Sequence, residues 1–353
     1  MLDLAVDLSF SFNSIECSVI YLHLILSKNK INNFLMRLQK IWRNDESLPP
    51  NAIVLKRNQL NQIDLYTSIY CNGLEVFIHI YLGVPLLTIL FKEFVLKRDV
   101  AYITPLKFSL PFDYQNNIVT FLTASLIDYS VLRKMGHTLN CSLFFLSVSM
   151  NQLRTLFLLL QEDFKEIIKA KEADIDDQLK NKIKKHVILS NMLVQLGDSF
   201  GLIFIIHVSF VTVTICFYGI AAIINRRLED MKNLMLCVIQ VVNVYYCCKE
   251  GQRVTDSDLN LPAENAARVL YQLSSGSHTN DAQALNVSTA IYDSQWDELS
   301  CKNQKIILLS ILRSQRATYI RSTSFTEISL KSFKTIMKTT WSFISLIVSM
   351  YEN

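Results

Sequence analysis

Apolar residues along this chain gather into six long runs separated by polar, charge-bearing stretches. The runs lie near 9–27, 72–96, 116–135 with a weaker continuation to 160, 199–224, 231–248 and 328–350. A helix needs about 17–25 mostly apolar residues to cross the hydrocarbon layer of a bilayer, and each run reaches that length. The fourth, from Gly201 to Ile224, is the cleanest. A further apolar run, Ile306 to Leu312, is too short to cross and ends at Arg313 and Arg316, so it reads as a cytosolic helix leading into the last span. The pattern predicts an all-α protein, a polytopic membrane helix bundle.

Lys and Arg are retained on the cytoplasmic side of short loops, and their positions orient the bundle. Segment 28–57 carries Lys28, Lys30, Arg37, Lys40, Arg43, Lys56 and Arg57; segment 165–185 carries Lys165, Lys169, Lys171, Lys180, Lys182, Lys184 and Lys185. Two spans separate the segments, as a shared cytosolic side requires. Basic residues also gather before the last run and in its first turns, from Lys302 to Lys338, and none follows. The C-terminus is therefore expected outside. Six crossings then put the N-terminus outside too, although chains without a signal peptide more often begin inside; one span is expected to be missing.

Composition agrees with a lipid-embedded fold. Half the residues are apolar and 19% are charged, with a mean hydropathy of +0.25, too apolar for an ordinary soluble domain. The net charge of +4 is not gathered into a basic, aromatic-interleaved groove, which argues against nucleic acid. The eight cysteines lack paired spacing, so neither a disulfide framework nor a metal site is expected. Cys247 and Cys248 would suit a lipid anchor, but burial is the expected fate of both. No His-Glu-x-x-His and no glycine-rich phosphate loop occurs; an enzyme, a catalytic site and a cofactor are not expected. A secondary transporter would usually show internal repeats and broken helices, and neither is evident.

The final run has a pattern of its own. Lys331, Lys334, Lys338, Ser342, Ser345 and Ser349 recur every three or four residues and share one helix face, while Phe333, Ile336, Met337, Phe343, Ile344, Ile347 and Val348 occupy the remainder. Such a stripe is costly in lipid unless it meets water or partners. Two readings account for it. The stripe lines an aqueous pore, or the serines bond back to their own helix carbonyls while the lysines reach for the interface.

The stretch Ser324 to Leu346, with a Ser329-Leu330-x-x-Phe333 entry and Trp341-Ser342-Phe343, resembles the C-terminal signature of the insect odorant-receptor family. Ala290-Ile291-Tyr292, Trp296 and Leu308 to Gln315 are similar to that family's cytosolic helix. Tyr245-Tyr246-Cys247 with Gly251-Gln252 resembles the close of its sixth helix, and His186, Asp198-Ser199-Phe200 and Cys216 its fifth. Pro111-Phe112-Asp113 adds a weaker match. Insect gustatory receptors would place Gln-Phe where Ile347-Val348 stand, so the odorant branch is favoured; a gustatory receptor and a transporter are the alternatives. On this resemblance the runs are the second to seventh helices, about six of seven spans, and the chain is expected to be shortened at its N-terminus. The long interval between Gly251-Gln252 and Tyr292 suggests an inserted or mis-spliced piece near 259–283.

The resemblance implies a division into residues 1–250, a transmembrane ligand-binding region; 251–327, a cytosolic loop and anchor helix; and 328–353, a pore-lining helix with an external C-terminus. It implies a multi-pass receptor of the plasma membrane of sensory-neuron dendrites. Its partners would be the lipid bilayer, small volatile ligands and the odorant receptor co-receptor, in a heterotetramer that conducts cations. Leu346 matches the position where an aliphatic ring narrows the pore, with Ile347 beside it and Ser342, Ser345 and Ser349 along the lining. An apolar ligand cavity with few polar groups is expected among the outer halves of the helices, where Tyr81, Phe121, Thr123, Tyr129 and Met235 are candidates by depth. His186 and Trp296 are expected in the intracellular anchor. His79 and His207 are expected to be neutral and bonded to backbone carbonyls, and Asn286-Val287-Ser288, being cytosolic, to be unglycosylated.

Overall fold

The computed structural model of the chain describes residues 2–97, 101–104, 106, 110–170, 175–225, 228–259, 305, 320–321 and 327–352. Those residues form six α-helices: α1 (Leu2–Ile41), α2 (Pro50–Phe94), α3 (Ile118–Ala170), α4 (Ile175–Asn225), α5 (Leu228–Leu259) and α6 (Leu330–Glu352). A one-turn 3-10 helix, Asp45–Ser47, links α1 to α2. Among the described residues the only β pairing is an isolated bridge between Arg321 and Glu327. Each of the six apolar runs lies within one helix, overhanging it by no more than two residues at either end. Three helical stretches, Pro50–Phe94, Ile118–Asp163 and Lys180–Gly219, are long and apolar enough to cross a membrane by length and composition.

The helices outrun the apolar stretches that predicted them. α3 has 53 residues and α4 has 51, so polar segments expected as loops continue as helix. The reason lies in burial. Leu143, Leu146, Met150, Leu153 and Phe157 of α3 meet Leu189, Leu193, Leu196 and Phe200 of α4, with Phe34 and Leu38 of α1 and Cys247, Cys248 and Val254 of α5, in one large core. Burying an apolar face is what stabilises a long amphipathic helix in water. Cys247 and Cys248 are fully buried there, as expected, and not available to an anchor.

Side-chain pairs fix the directions of the helices. Ser14 of α1 and Arg43, two residues past its end, reach Met135 and Asp163 of α3, so these two run parallel. Tyr70 of α2 reaches Asn140 of α3, while Gln59 reaches Arg154, so α2 runs antiparallel to α3. Glu16 and His23 of α1 meet His207 and Ser199 of α4, again antiparallel. Consequently the α1–α2 turn and the facing ends of α3 and α4 lie at one end of the bundle. Arg43 grips Asp163 with Nη1 at 2.8 and 2.9 Å, and Lys182 reaches the same carboxylate at 2.6 Å. The two basic segments thus share this basic end, and the start of α1 and the end of α6 share the far end.

The far half is built differently. Its core is a small cluster of Leu74, Ile78, Tyr81, Leu82, Leu106 and Leu132, while Ile80, Val84, Leu87, Phe91, Phe94, Val119 and Leu126 are exposed. An apolar surface this continuous does not belong in water. In lipid, which is as apolar as leucine, helices gain nothing by hiding such side chains.

Candidate functional site

α6 is seated by the segment before it. The Ile328 N–H donates to the Ile320 carbonyl at 2.9 Å, beside the Arg321–Glu327 bridge. The backbone of Arg321 and Ile328 presses on two glycines. A Cβ on Gly197 of α4 would lie 2.8 Å from the Arg321 carbonyl oxygen, and one on Gly251 of α5 would collide with that of Ile328. Side chains are excluded at both positions because backbone cannot yield as a flexible side chain can. From that seat α6 runs along α4 and α5, with the Phe333 ring edge-on to Tyr245 at 5.5 Å and Ile344 against Gly219.

The two faces of α6 are distinct. Thr340 and Ile344, 1% and 5% exposed, face the other helices of the chain, whereas Leu346 is 56% exposed. Lys331, Lys334, Lys338, Ser342, Ser345 and Ser349 are exposed as well, and so is Ile347. The polar stripe and Leu346 therefore turn away from the chain's own bundle. The serine hydroxyls donate backwards, Ser342 to the Lys338 carbonyl at 2.9 Å, Ser345 to Trp341 at 3.0 Å and Ser349 to Leu346 at 2.8 Å. Back-bonding satisfies the hydroxyl proton and leaves the oxygen's lone pairs on the outer surface. The serines thus back-bond, as one of the two sequence readings expects, on a face turned away from the bundle.

In the far half, Tyr81 is buried against Phe77 in the α2–α3 cluster, and Tyr129 packs on that same cluster. His79 Nδ1 donates to the Glu75 carbonyl at 2.6 Å, the backbone bond expected of it. Its Nε2 stands 3.2 Å from the Tyr129 hydroxyl. Phe121 is buried under Tyr102 of the α2–α3 connection, ring centroids 5.1 Å apart. That connection is held down by its own bonds: Tyr102 donates to Glu93 at 2.6 Å, which pushes its phenol pKa up, and the Leu106 N–H donates to Asp128 at 3.0 Å. The structure therefore gathers Tyr81 and Tyr129 into one cluster and places Phe121 beneath the connection. Thr123 and Met235 are exposed, Thr123 donating to the Val119 carbonyl.

His186 of α4 meets Phe157 of α3 edge-on, 5.9 Å between centroids, deep in the basic half. Trp296, Asn286, the Ile306–Leu312 run and the 259–283 interval lie outside the described residues, Leu259 itself excepted.

Two groupings went unread in the sequence. His207, expected on a backbone carbonyl, instead points Nδ1 at Glu16 Oε1 across the α1–α4 interface at 2.5 Å, with both side chains buried. An acid inside an apolar run finds a partner when a helix is lipid-embedded, and Glu16 within run 9–27 carried that signal. Between α2, α3 and α5, Asn140 Oδ1 accepts from the Tyr70 hydroxyl at 3.0 Å and from Asn243 Nδ2 at 2.8 Å, while Tyr66 stacks on Tyr246. Residues this far apart in sequence give no local signal of pairing.

The sequence matches the family model described as 7tm Odorant receptor over residues 1–264 and 276–341. It is 21% identical over 174 residues to Odorant receptor 85c of Drosophila melanogaster, covering 49% of this chain and 38% of that protein. It is 22% identical over 345 residues to Odorant receptor 13a of the same organism, covering 94% and 76%. Over the first relatives the match spans well under two thirds of their length, 38% and 36% for Odorant receptor 85c and Putative odorant receptor 85d. The insect olfactory receptor OR5 from Machilis hrabei superposes with a TM-score of 0.76 at 12% identity, covering 99% of this chain and 82% of that one. Its complex with eugenol superposes with a TM-score of 0.72 at 13% identity, covering 97% and 80%.

Proposed function

Because the chain belongs to the 7tm odorant receptor family, we propose that it is a receptor subunit that binds small volatile molecules and opens a cation channel with a shared co-receptor. The observation that carries this reading is the orientation of α6, whose serine stripe and Leu346 face away from the chain's own helices. One helix cannot enclose a pore, so several subunits must bring their last helices to a common axis. A heterotetramer with the co-receptor provides that arrangement. Leu346 and Ile347 then form the narrow point, since a ring of aliphatic side chains blocks ions by dewetting. Ser342, Ser345 and Ser349 offer water their lone pairs along the path.

The basic end faces the cytosol in this reading and the tail of α6 faces outward, in the plasma membrane of a sensory dendrite. The clustering of both basic segments at one end supports the orientation. Ligand enters the far half, where the buried core is small and Tyr81, Tyr129 and Phe121 supply aromatic surface with one hydroxyl–imidazole pair; Thr123 and Met235 would join on ligand binding. OR5 of Machilis hrabei in complex with eugenol supports a ligand of this size class. α5 connects the two regions, carrying Met235 in the far half and Tyr245 against Phe333 of α6.

Co-expressed with the co-receptor and screened against a broad volatile panel, the receptor should give odorant-evoked cation currents when G-protein signalling is blocked. Silence across the panel despite surface expression overturns the reading, as does a current abolished by G-protein inhibition.

A further inference from the structure

On the outer face of α2 and α3 a charged group stands at the edge of the apolar layer. Glu75 of α2 takes Arg133 Nε at 3.3 Å and His137 Nε2 at 2.8 Å, both from α3. Arg133 commits only Nε to this contact, leaving its two terminal nitrogens without a partner among the described residues, and it is 50% exposed. Lys134 beside it is exposed and makes no ion pair with any described residue. Among the described residues Glu75 is thus the one carboxylate paired within this group, with Lys134 unpaired beside Arg133, and both basic side chains are exposed.

The depth of this group is fixed by the helices carrying it. From Ile118 to Leu132 α3 carries no acid, Lys or Arg apart from the buried, bonded Asp128, over a rise of about 22 Å. From Val76 to Phe91 α2 carries none, and the paired His79 and Tyr129 set the two stretches at one level. Glu75 and Arg133 bring the first charges at the basic-end side of both stretches. Past that point come Asn72 and Cys71 on α2 and Thr138 and Asn140 on α3. Toward the far end, Val76, Ile80, Leu122 and Leu126 are exposed above the charges. A face with cations at its edge and bare aliphatic side chains above matches one occupant, a phospholipid with an anionic head.

We propose that Arg133 and Lys134 hold the phosphate of an anionic phospholipid in the leaflet at the basic end, with its acyl chains against Val76, Ile80, Leu122 and Leu126. A guanidinium with two free terminal nitrogens is suited to two phosphate oxygens, and an ammonium adds a point charge. Glu75 positions Arg133 by holding Nε, so the fork faces the bilayer. Each basic residue near a charged membrane surface strengthens anionic-lipid binding by about 1 kcal/mol, roughly fivefold.

The test is native mass spectrometry of the full chain, purified in detergent and equilibrated with equal amounts of phosphatidylinositol and phosphatidylcholine. The wild type should retain phosphatidylinositol preferentially. Lys134→Gln, which breaks no contact, should lower that retention about fivefold, and Arg133→Gln with Lys134→Gln should lower it about 25-fold. Lys184→Gln, exposed on α4 far from this face, should leave it unchanged. Equal retention of the two lipids by the wild type, an undiminished signal in Lys134→Gln, or an equal loss in Lys184→Gln each overturns the proposal.

Discussion

The carbonyl oxygen of Ile328 occupies the space a Cβ on Gly251 would need, so the turn leading into the last helix lies directly on the backbone of α5. Gly197 meets Arg321 in the same way from α4. The two glycines make the seat from which α6 departs, and the register of the whole stripe depends on it.

Gly251→Ala should therefore displace the turn and lower stability by about 1–3 kcal/mol, the usual range for forcing volume into a filled site. Thermal melting of the detergent-solubilised chain measures it. Gly73→Ala is the control, because a Cβ there meets nothing within 4 Å. Equal melting of both variants would remove the glycine's steric role.

Leu346→Ser should raise the basal leak of the co-expressed channel without lowering the melting temperature, since Leu346 touches solvent and not the chain's own core. Ile344→Ala should do the opposite. It is buried against α4, and losing a buried aliphatic side chain costs about 2–5 kcal/mol. Whole-cell current without odorant and melting of the purified chain separate the two. A leak from Ile344→Ala alone would mean that α6 is rotated in the assembly.

Removing one partner of the Glu16–His207 pair should cost more than removing both. Glu16→Leu leaves His207 buried without its partner, a penalty of about 1–3 kcal/mol. The double replacement Glu16→Leu with His207→Leu restores part of that loss, because a buried polar pair can often be replaced by apolar side chains at little cost. Melting temperatures of the three chains decide it. Additive losses would show that the side chains do not interact.

At the α1–α2 turn, Lys56 donates to Asp45 at 2.7 Å and Arg57 stands at 3.3 Å. The bond from Lys56 holds the Asp45 carboxyl below its ordinary value of 3.8. A depressed folded-state pKa contributes stability that is fully present above the unfolded value and lost as pH falls through the folded one. Stability measured from pH 6 down to about pH 2 should decline through this window, and Asp45→Asn should flatten the decline. An unchanged slope in the variant would place the acid sensitivity elsewhere.

Much of the architecture was legible before any coordinates. The six apolar runs located six helices, and the spread of Lys and Arg anticipated two basic segments at one end. The polar stripe of α6 was visible from spacing alone, and so was the burial expected of Cys247 and Cys248. These features are local: a helix's period and a span's length are written into adjacent residues.

Tertiary structure decided the rest. Only the fold shows that Thr340 and Ile344 face inward while Leu346 faces out, because the sequence defines a stripe but not what lies behind it. Helix α3 runs unbroken through the weaker part of its apolar run because a distant partner surface buries Leu143 to Phe157, and α4 begins well before its own run, where Leu189, Leu193 and Leu196 are buried in the same core. Glu16 found His207, and Asn140 found Tyr70 and Asn243, across long sequence separations. The physical reason is that periodicity fixes which face of a helix is apolar, whereas the identity of the surface that covers it depends on how six helices are arranged against one another and against lipid.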